Sequence, residues 1–169
     1  MLGHSYVQRV INKGPDERVA IRRTIDTIKE FTGTAPRGWM GPGLAETFDT
    51  PDILAEEGIE YVADWVNDDQ PYPMIVKSGS LVAIPYTVEL NDIPVYLIQH
   101  HRSPELFERA KDQFDTLYRE GADSARIMCV STHPYITGAA HRIKYYDKIF
   151  EYIKQHDDVV FMTGSEILD

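Results

Sequence analysis

Apolar positions recur along this chain in two alternating patterns, a helical one and a short, dense one. Val19, Ile21, Ile25, Ile28 and Phe31 fall near helical spacing, which predicts a helix over 15–31. Pro15 suits its first turn, Asp16 and Glu17 suit the positive end of its dipole, and Gly33 ends it. Leu106, Phe107, Ala110, Phe114, Leu117 and Tyr118 form one face of a second helix over 104–120, closed by Gly121. Ile143, Tyr146, Ile149, Phe150 and Ile153 mark a third over 139–155. Shorter helices are expected at 50–58 and from Ser165 onward. Between them lie short apolar runs that read as strands, at 37–40, 60–64, 81–85, 126–131 and 159–162, with a further extended piece over 94–98.

Strands alternating with helices imply an α/β fold with parallel strands covered by helices, either a closed or partly closed barrel or an open doubly wound sheet. No glycine-rich phosphate fingerprint follows any strand, so a nucleotide-binding sheet has no support. The 169 residues fit a single domain, 1–169, and 43% hydrophobic content is enough for a packed core. A net charge of -10 argues against a nucleic-acid partner, whose binding needs cationic contacts to phosphate. No basic amphipathic stretch suggests a membrane surface. The lone cysteine, Cys129, sits in an apolar run and cannot form an internal disulfide, which points to a reduced, cytoplasmic setting. The opening residues Met1 to Val7 have no basic or apolar leader pattern and read as a strand end already inside a fold.

In β/α folds, functional groups gather where strands end and the following loops begin. The polar residues at such places are His4, Arg37 with Trp39, Asp64 with Trp65, Glu89 with Asn91 and Asp92, and His133. His133 directly follows a core strand, where an imidazole serves as a general acid or base, or caps the strand end by hydrogen bonds. Asp64 could orient a histidine, or cap a loop. Arg37 could pair with a buried carboxylate or an oxyanion, or form a surface ion pair. Asp68 and Asp69 could offer hard oxygen ligands, or form a solvated turn. The chain has no Gly-x-Ser-x-Gly elbow, no Cys-x-x-Cys and no His-Glu-x-x-His. Acid–base hydrolysis, with or without metal assistance, is the chemistry left.

Taken in order, these segments resemble the polysaccharide deacetylase superfamily, most closely its allantoinase-like branch. Gly3-His-Ser5 resembles the histidine motif, and Arg37-Gly-Trp-Met-Gly-Pro-Gly43 the arginine-bearing loop that walls the site. Tyr61-Val-Ala-Asp-Trp65 with Asp68-Asp-Gln-Pro71 resembles the motif whose aspartate supports catalysis. Ile84-Pro-Tyr-Thr87 with Asn91-Asp92 is similar to a stretch of the allantoinase-like branch. Thr132-His-Pro134 with Gly138 and Arg142 resembles the motif whose histidine is the general acid.

The resemblance implies an incomplete, distorted (β/α) barrel lacking its N-terminal strands, and hydrolysis of amide C–N bonds in an N-acetylated glycan or a small cyclic amide or ureide. It implies catalytic roles for His133, Asp64 and Arg37, substrate contacts from Trp39, Trp65, Glu89 and Asn91, and His4 as a metal ligand. The metal implied is divalent, usually zinc. It is expected to be held weakly or not at all, because Gln8 stands where metal-dependent relatives carry a second histidine. A Thr-Phe-Asp-Asp type segment is absent, so this chain by itself is expected to be nearly inactive. An open sheet edge would favour a homo-oligomer. The competing reading is a non-catalytic binding module that keeps the pocket. The sharpest geometric expectation is that His4, Arg37, Asp64 and His133 converge on one rim around a concave pocket lined by Trp39 and Trp65, with Asp64 in a direct or one-water hydrogen bond to His133.

Overall fold

The computed structural model describes residues 16–169. They pack as two compact units. The first runs through 16–65, 71–84 and 162–169, and the second through 66–70 and 85–161.

Unit 1 is built on a short sheet. Its strands are β1 (Gly38–Trp39), β2 (Tyr61–Val62), β3 (Tyr72–Pro73) and β4 (Val82–Ala83), in the order β1-β2-β4-β3. β1, β2 and β4 are parallel, and β3 runs antiparallel to β4. Helices α1 (Glu17–Thr32) and α2 (Thr50–Glu56) pack with the sheet through Ile21, Ile25, Ile53 and Leu54, which share a buried core with Trp39, Ile59, Val62 and Leu81. Burying each such large side chain contributes roughly 1.5–3 kcal/mol. α1 begins at Glu17, two residues after the predicted start, with Asp16 capping it by accepting from the amides of Arg18 and Val19. The β1–β2 register places the Tyr61 ring against Gly38, where an added Cβ would lie 2.0 Å from the ring, so only glycine fits there. The last helix of the unit, labelled α6 below, spans Gly164–Leu168. Thr163 and Glu166 close its first turn as a reciprocal capping box.

Unit 2 is helical around one core. α3 (Glu105–Gly121) buries Leu106, Ala110, Phe114 and Leu117 of the predicted face, while Phe107 is partly buried and Tyr118 exposed. α4 (Pro134–Thr137) is a single turn, and α5 (Ile143–Ile153) buries Ile149 and Ile153. These side chains share a core with Leu90, Val95, Tyr96 and Ile136. α6 (Gly164–Leu168) follows in the chain and returns to unit 1.

Three elements differ from the sequence reading. Residues 94–98 are not extended but lie in a π-helical turn, Ile93–Ile98. Asp92 and Pro94 start that turn, and Val95 and Tyr96 are buried by it. Residues 126–131 form no ladder among the described residues, only the parallel bridge Asn91↔Ser131. Residues 159–162 also carry no ladder there, and Val160, Phe161 and Met162 are exposed. Strand propensity needs a neighbouring strand before it becomes a strand.

Candidate active site

The segment 126–131 ends beside the start of the π turn. Ser131 N donates to Leu90 O at 2.9 Å, and Asp92 N donates to Ser131 O at 3.1 Å. This local pairing brings Asp92 to His133, two residues past the end of the segment. The Asp92 carboxylate is fully buried and accepts three hydrogen bonds, each 2.7 Å long. They come from the His133 backbone amide, the His133 ring at Nδ1 and the Thr137 hydroxyl. A carboxylate beside two unambiguous donors fixes the tautomer: Nδ1 carries the proton and Nε2 is left to exchange one. The His133 side chain is 35% exposed, and no described residue bonds Nε2.

α4 secures this arrangement. His133 O accepts from Ile136 N and Thr137 N, so the turn places the Thr137 hydroxyl back on Asp92. At Gly138 a Cβ would lie 2.3 Å from Pro134 O, so a side chain there would open the turn. Arg142 stacks its guanidinium 4.7 Å from the Tyr96 ring centroid and donates to Ile136 O at 3.3 Å, while its buried Nε has no partner among the described residues.

The other predicted residues take different places. The carboxylate on His133 is Asp92, and the expectation that Asp64 fills that role is corrected. Asp64 lies in unit 1, just past β2, where both its oxygens accept from the Gly41 amide at 2.7 and 2.9 Å. Burial pushes its carboxyl up to about 7, with the neighbouring Glu46 adding to the rise and the Gly41 amide opposing it. Arg37 stands before β1. Its carbonyl accepts from Glu60 and Tyr61 at the N-terminal end of β2, the end opposite Asp64. Its guanidinium is engaged by Glu60 and Asp169, each at 2.7 Å. Trp39 is buried in the core of unit 1 at 2% exposure, not on a cleft wall. Trp65 is partly exposed, and its indole N–H donates to Glu46 at 3.0 Å. Asn91 accepts from Ile93 N and helps start the π turn. Glu89 lines a cleft of about 530 Å³ within unit 2 with Asn67, Asp68, Asp69, Tyr86 and Gln113. His133 and Asp92 are not among its lining residues, so this cleft and the His–Asp pair are separate features. His4 lies outside the described residues.

Among the described residues, no group of three or more His, Cys, Asp or Glu side chains could hold a metal ion. The donors present there do not make a zinc site, and no step below is routed through one.

Sequence reasoning missed Asp92 as the partner of His133, and with it Thr137 and Glu46. A signal was present for Asp92: the run Asn91-Asp-Ile-Pro94 is a turn start next to an apolar stretch, and it places a carboxylate where a strand end is due.

No protein-family profile matches the chain. The peptidoglycan deacetylase of Helicobacter pylori is 26% identical over 99% of this chain and 67% of its own length. A Schizosaccharomyces pombe protein that bears the name polysaccharide deacetylase is 32% identical over 87% of this chain and 51% of its own. Among solved structures, a probable polysaccharide deacetylase from Pseudomonas aeruginosa superposes with a TM-score of 0.83 at 28% identity, over 92% of this chain and 53% of that one. An allantoinase superposes with a TM-score of 0.81 at 30% identity, over 90% of this chain and 51% of that one. The chain thus spans about half the length of three of these four proteins. In sequence and in fold, it is similar to polysaccharide deacetylases and to an allantoinase.

Proposed function

We propose that this chain carries the proton-donating part of an amide C–N hydrolase site, with His133 as the general acid. The observation behind the reading is the pair itself: Nδ1 of His133 lies 2.7 Å from a buried carboxylate while the ring is about a third exposed. Cleavage of an amide needs a proton on the leaving nitrogen, because an amide anion is a poor leaving group. Asp92 keeps the Nδ1 proton, so the protonated ring gives up its second proton, on Nε2, to the leaving nitrogen. A module that only bound a glycan would need no oriented imidazole, so the pair favours catalysis over binding alone.

The substrate class is an N-acetylated glycan or a small cyclic amide or ureide, the two chemistries named in the peptidoglycan deacetylase and allantoinase relatives. His4 remains a proposed metal ligand. Cytoplasmic residence and self-association into a homo-oligomer are further proposals. The test is hydrolysis of N-acetylglucosamine oligomers and of allantoin by the protein carrying this chain, beside His133→Gln and Asp92→Asn. Loss of turnover in both variants supports the reading. Full turnover in His133→Gln overturns it.

A further inference from the structure

Unit 1 contains a second buried acid cluster that the His133 site does not use. Asp64 is buried and Glu46 half-buried, and the two acids are tied together by Trp65, which follows Asp64 in the chain and donates to Glu46. Both Asp64 oxygens face the amide of Gly41, where the loop after β1 begins. Glu46 stands at the far end of that loop, with Oε2 accepting from the Trp65 indole at 3.0 Å. Its other oxygen, Oε1, is buried and meets no donor among the described residues. The loop between is tightly closed. Leu44 N donates to Gly41 O at 3.0 Å, and a Cβ on Gly41 would lie 2.7 Å from Ala45 O and 2.9 Å from Asp64 Oδ2.

Two neighbouring carboxylates with so little access to water cannot both stay ionised without strong repulsion. One proton between them removes the repulsion and gives the orphaned Glu46 oxygen its donor. We propose that Asp64 and Glu46 share a single proton, and that this proton fastens the 41–46 loop onto the end of β2. Asp64 then holds both ends of the loop, Gly41 through its amide and Glu46 through the shared hydrogen.

The other groups bearing on the pair give it no balancing positive charge among the described residues. Trp65 donates one neutral hydrogen bond and Gly41 another. Glu17, in the first turn of α1, is a third acid and raises Glu46 further. Its carboxylate accepts from the hydroxyls of Thr47 and Thr50, just past the loop. Burial is the largest cause raising both members of the pair. The latch is therefore closed in acid and releases as pH rises through neutrality, when two carboxylates face each other.

Carboxyl carbon NMR of the full chain, titrated from about pH 5 to 9, reads the pair directly, since an ordinary aspartate titrates near 4. The expected result is an Asp64 midpoint near neutrality, with Gly41 amide exchange and Trp65 emission changing at the same midpoint. Buried Trp39 serves as the constant background. Glu46→Gln replaces the shared hydrogen with its own amide donor, so the Asp64 midpoint should fall by about one unit or more and the loop should stay protected in alkali. Asp64→Asn keeps an acceptor for Gly41 and donates to Glu46, so the transition should vanish. An Asp64 midpoint in the ordinary range, or Gly41 exchange that does not follow the Asp64 midpoint, overturns the proposal. The titration of the unsubstituted chain decides the matter if a variant fails to fold.

Discussion

Asp92 in unit 2 and Asp64 in unit 1 are both buried aspartates placed by strand-like segments, yet their surroundings differ in what they offer a carboxylate. Asp92 meets two N–H groups and a hydroxyl, all at 2.7 Å. Asp64 meets one amide and a second acid. Burial alone penalises a charge in either place, and the donors decide how the group responds. Asp92 therefore serves as a fixed acceptor that orients an imidazole. Asp64, raised by burial and by Glu46, is a proton carrier. A carboxylate at a strand end is thus no single signal, because its role is set by the count of donors that reach it.

The comparison is sharpened most by replacing Asp92 with Asn. The amide can no longer accept from all three donors and would set its own N–H₂ against one of them. Hydrolysis by the protein carrying this chain should slow by ~10²–10⁴-fold, the usual weight of a general acid, as read from kcat on the better of the two substrate classes. Next comes Thr137→Val, which keeps the shape and deletes one donor to the buried carboxylate. A loss of roughly 1.5–3 kcal/mol is expected, measured by urea denaturation. A change within error would show that the Asp92 cluster is looser than its distances indicate.

Asp64→Asn should act in the opposite direction. The folded-state pKa of Asp64 is raised from 3.8 to about 7, so the folded chain holds this proton where the unfolded chain has lost it. Stability from the group is present in full below the unfolded value, falls as pH rises toward about 7, and is flat above. An asparagine does not titrate. The variant should therefore gain on the unsubstituted chain across that window, as followed by denaturation midpoints at a series of pH values. A constant difference between the two would place the raised pKa elsewhere.

Arg37→Ala should have the smallest effect. Its partners Glu60 and Asp169 are exposed, and exposed ion pairs contribute little. The thermal midpoint should barely move. A large fall in kcat with an unchanged midpoint would restore the catalytic role that the sequence suggests for Arg37.

The sequence by itself determined the helices that carry long amphipathic faces. In α3 the spacing of Leu106, Ala110, Phe114 and Leu117 is enough, because a helix makes its own hydrogen bonds and only its face needs a partner. It also placed His133 at the end of an apolar segment, and its motifs carried the family resemblance. Segments 126–131 and 159–162 show the limit, since strand-like composition does not name the neighbour that a ladder requires. Trp39 shows it again: a tryptophan beside a glycine-rich loop reads equally well as a cleft wall or as core, and only packing against Ile21, Leu54 and Val62 decided for core. The partner of His133 was decided the same way. Asp64 and Asp92 are both carboxylates near strand ends, and Asp92 is 41 residues from the histidine it holds. A hydrogen bond at that separation depends on how the backbone at 90–92 pairs with Ser131, a contact between segments that no local pattern of residues encodes.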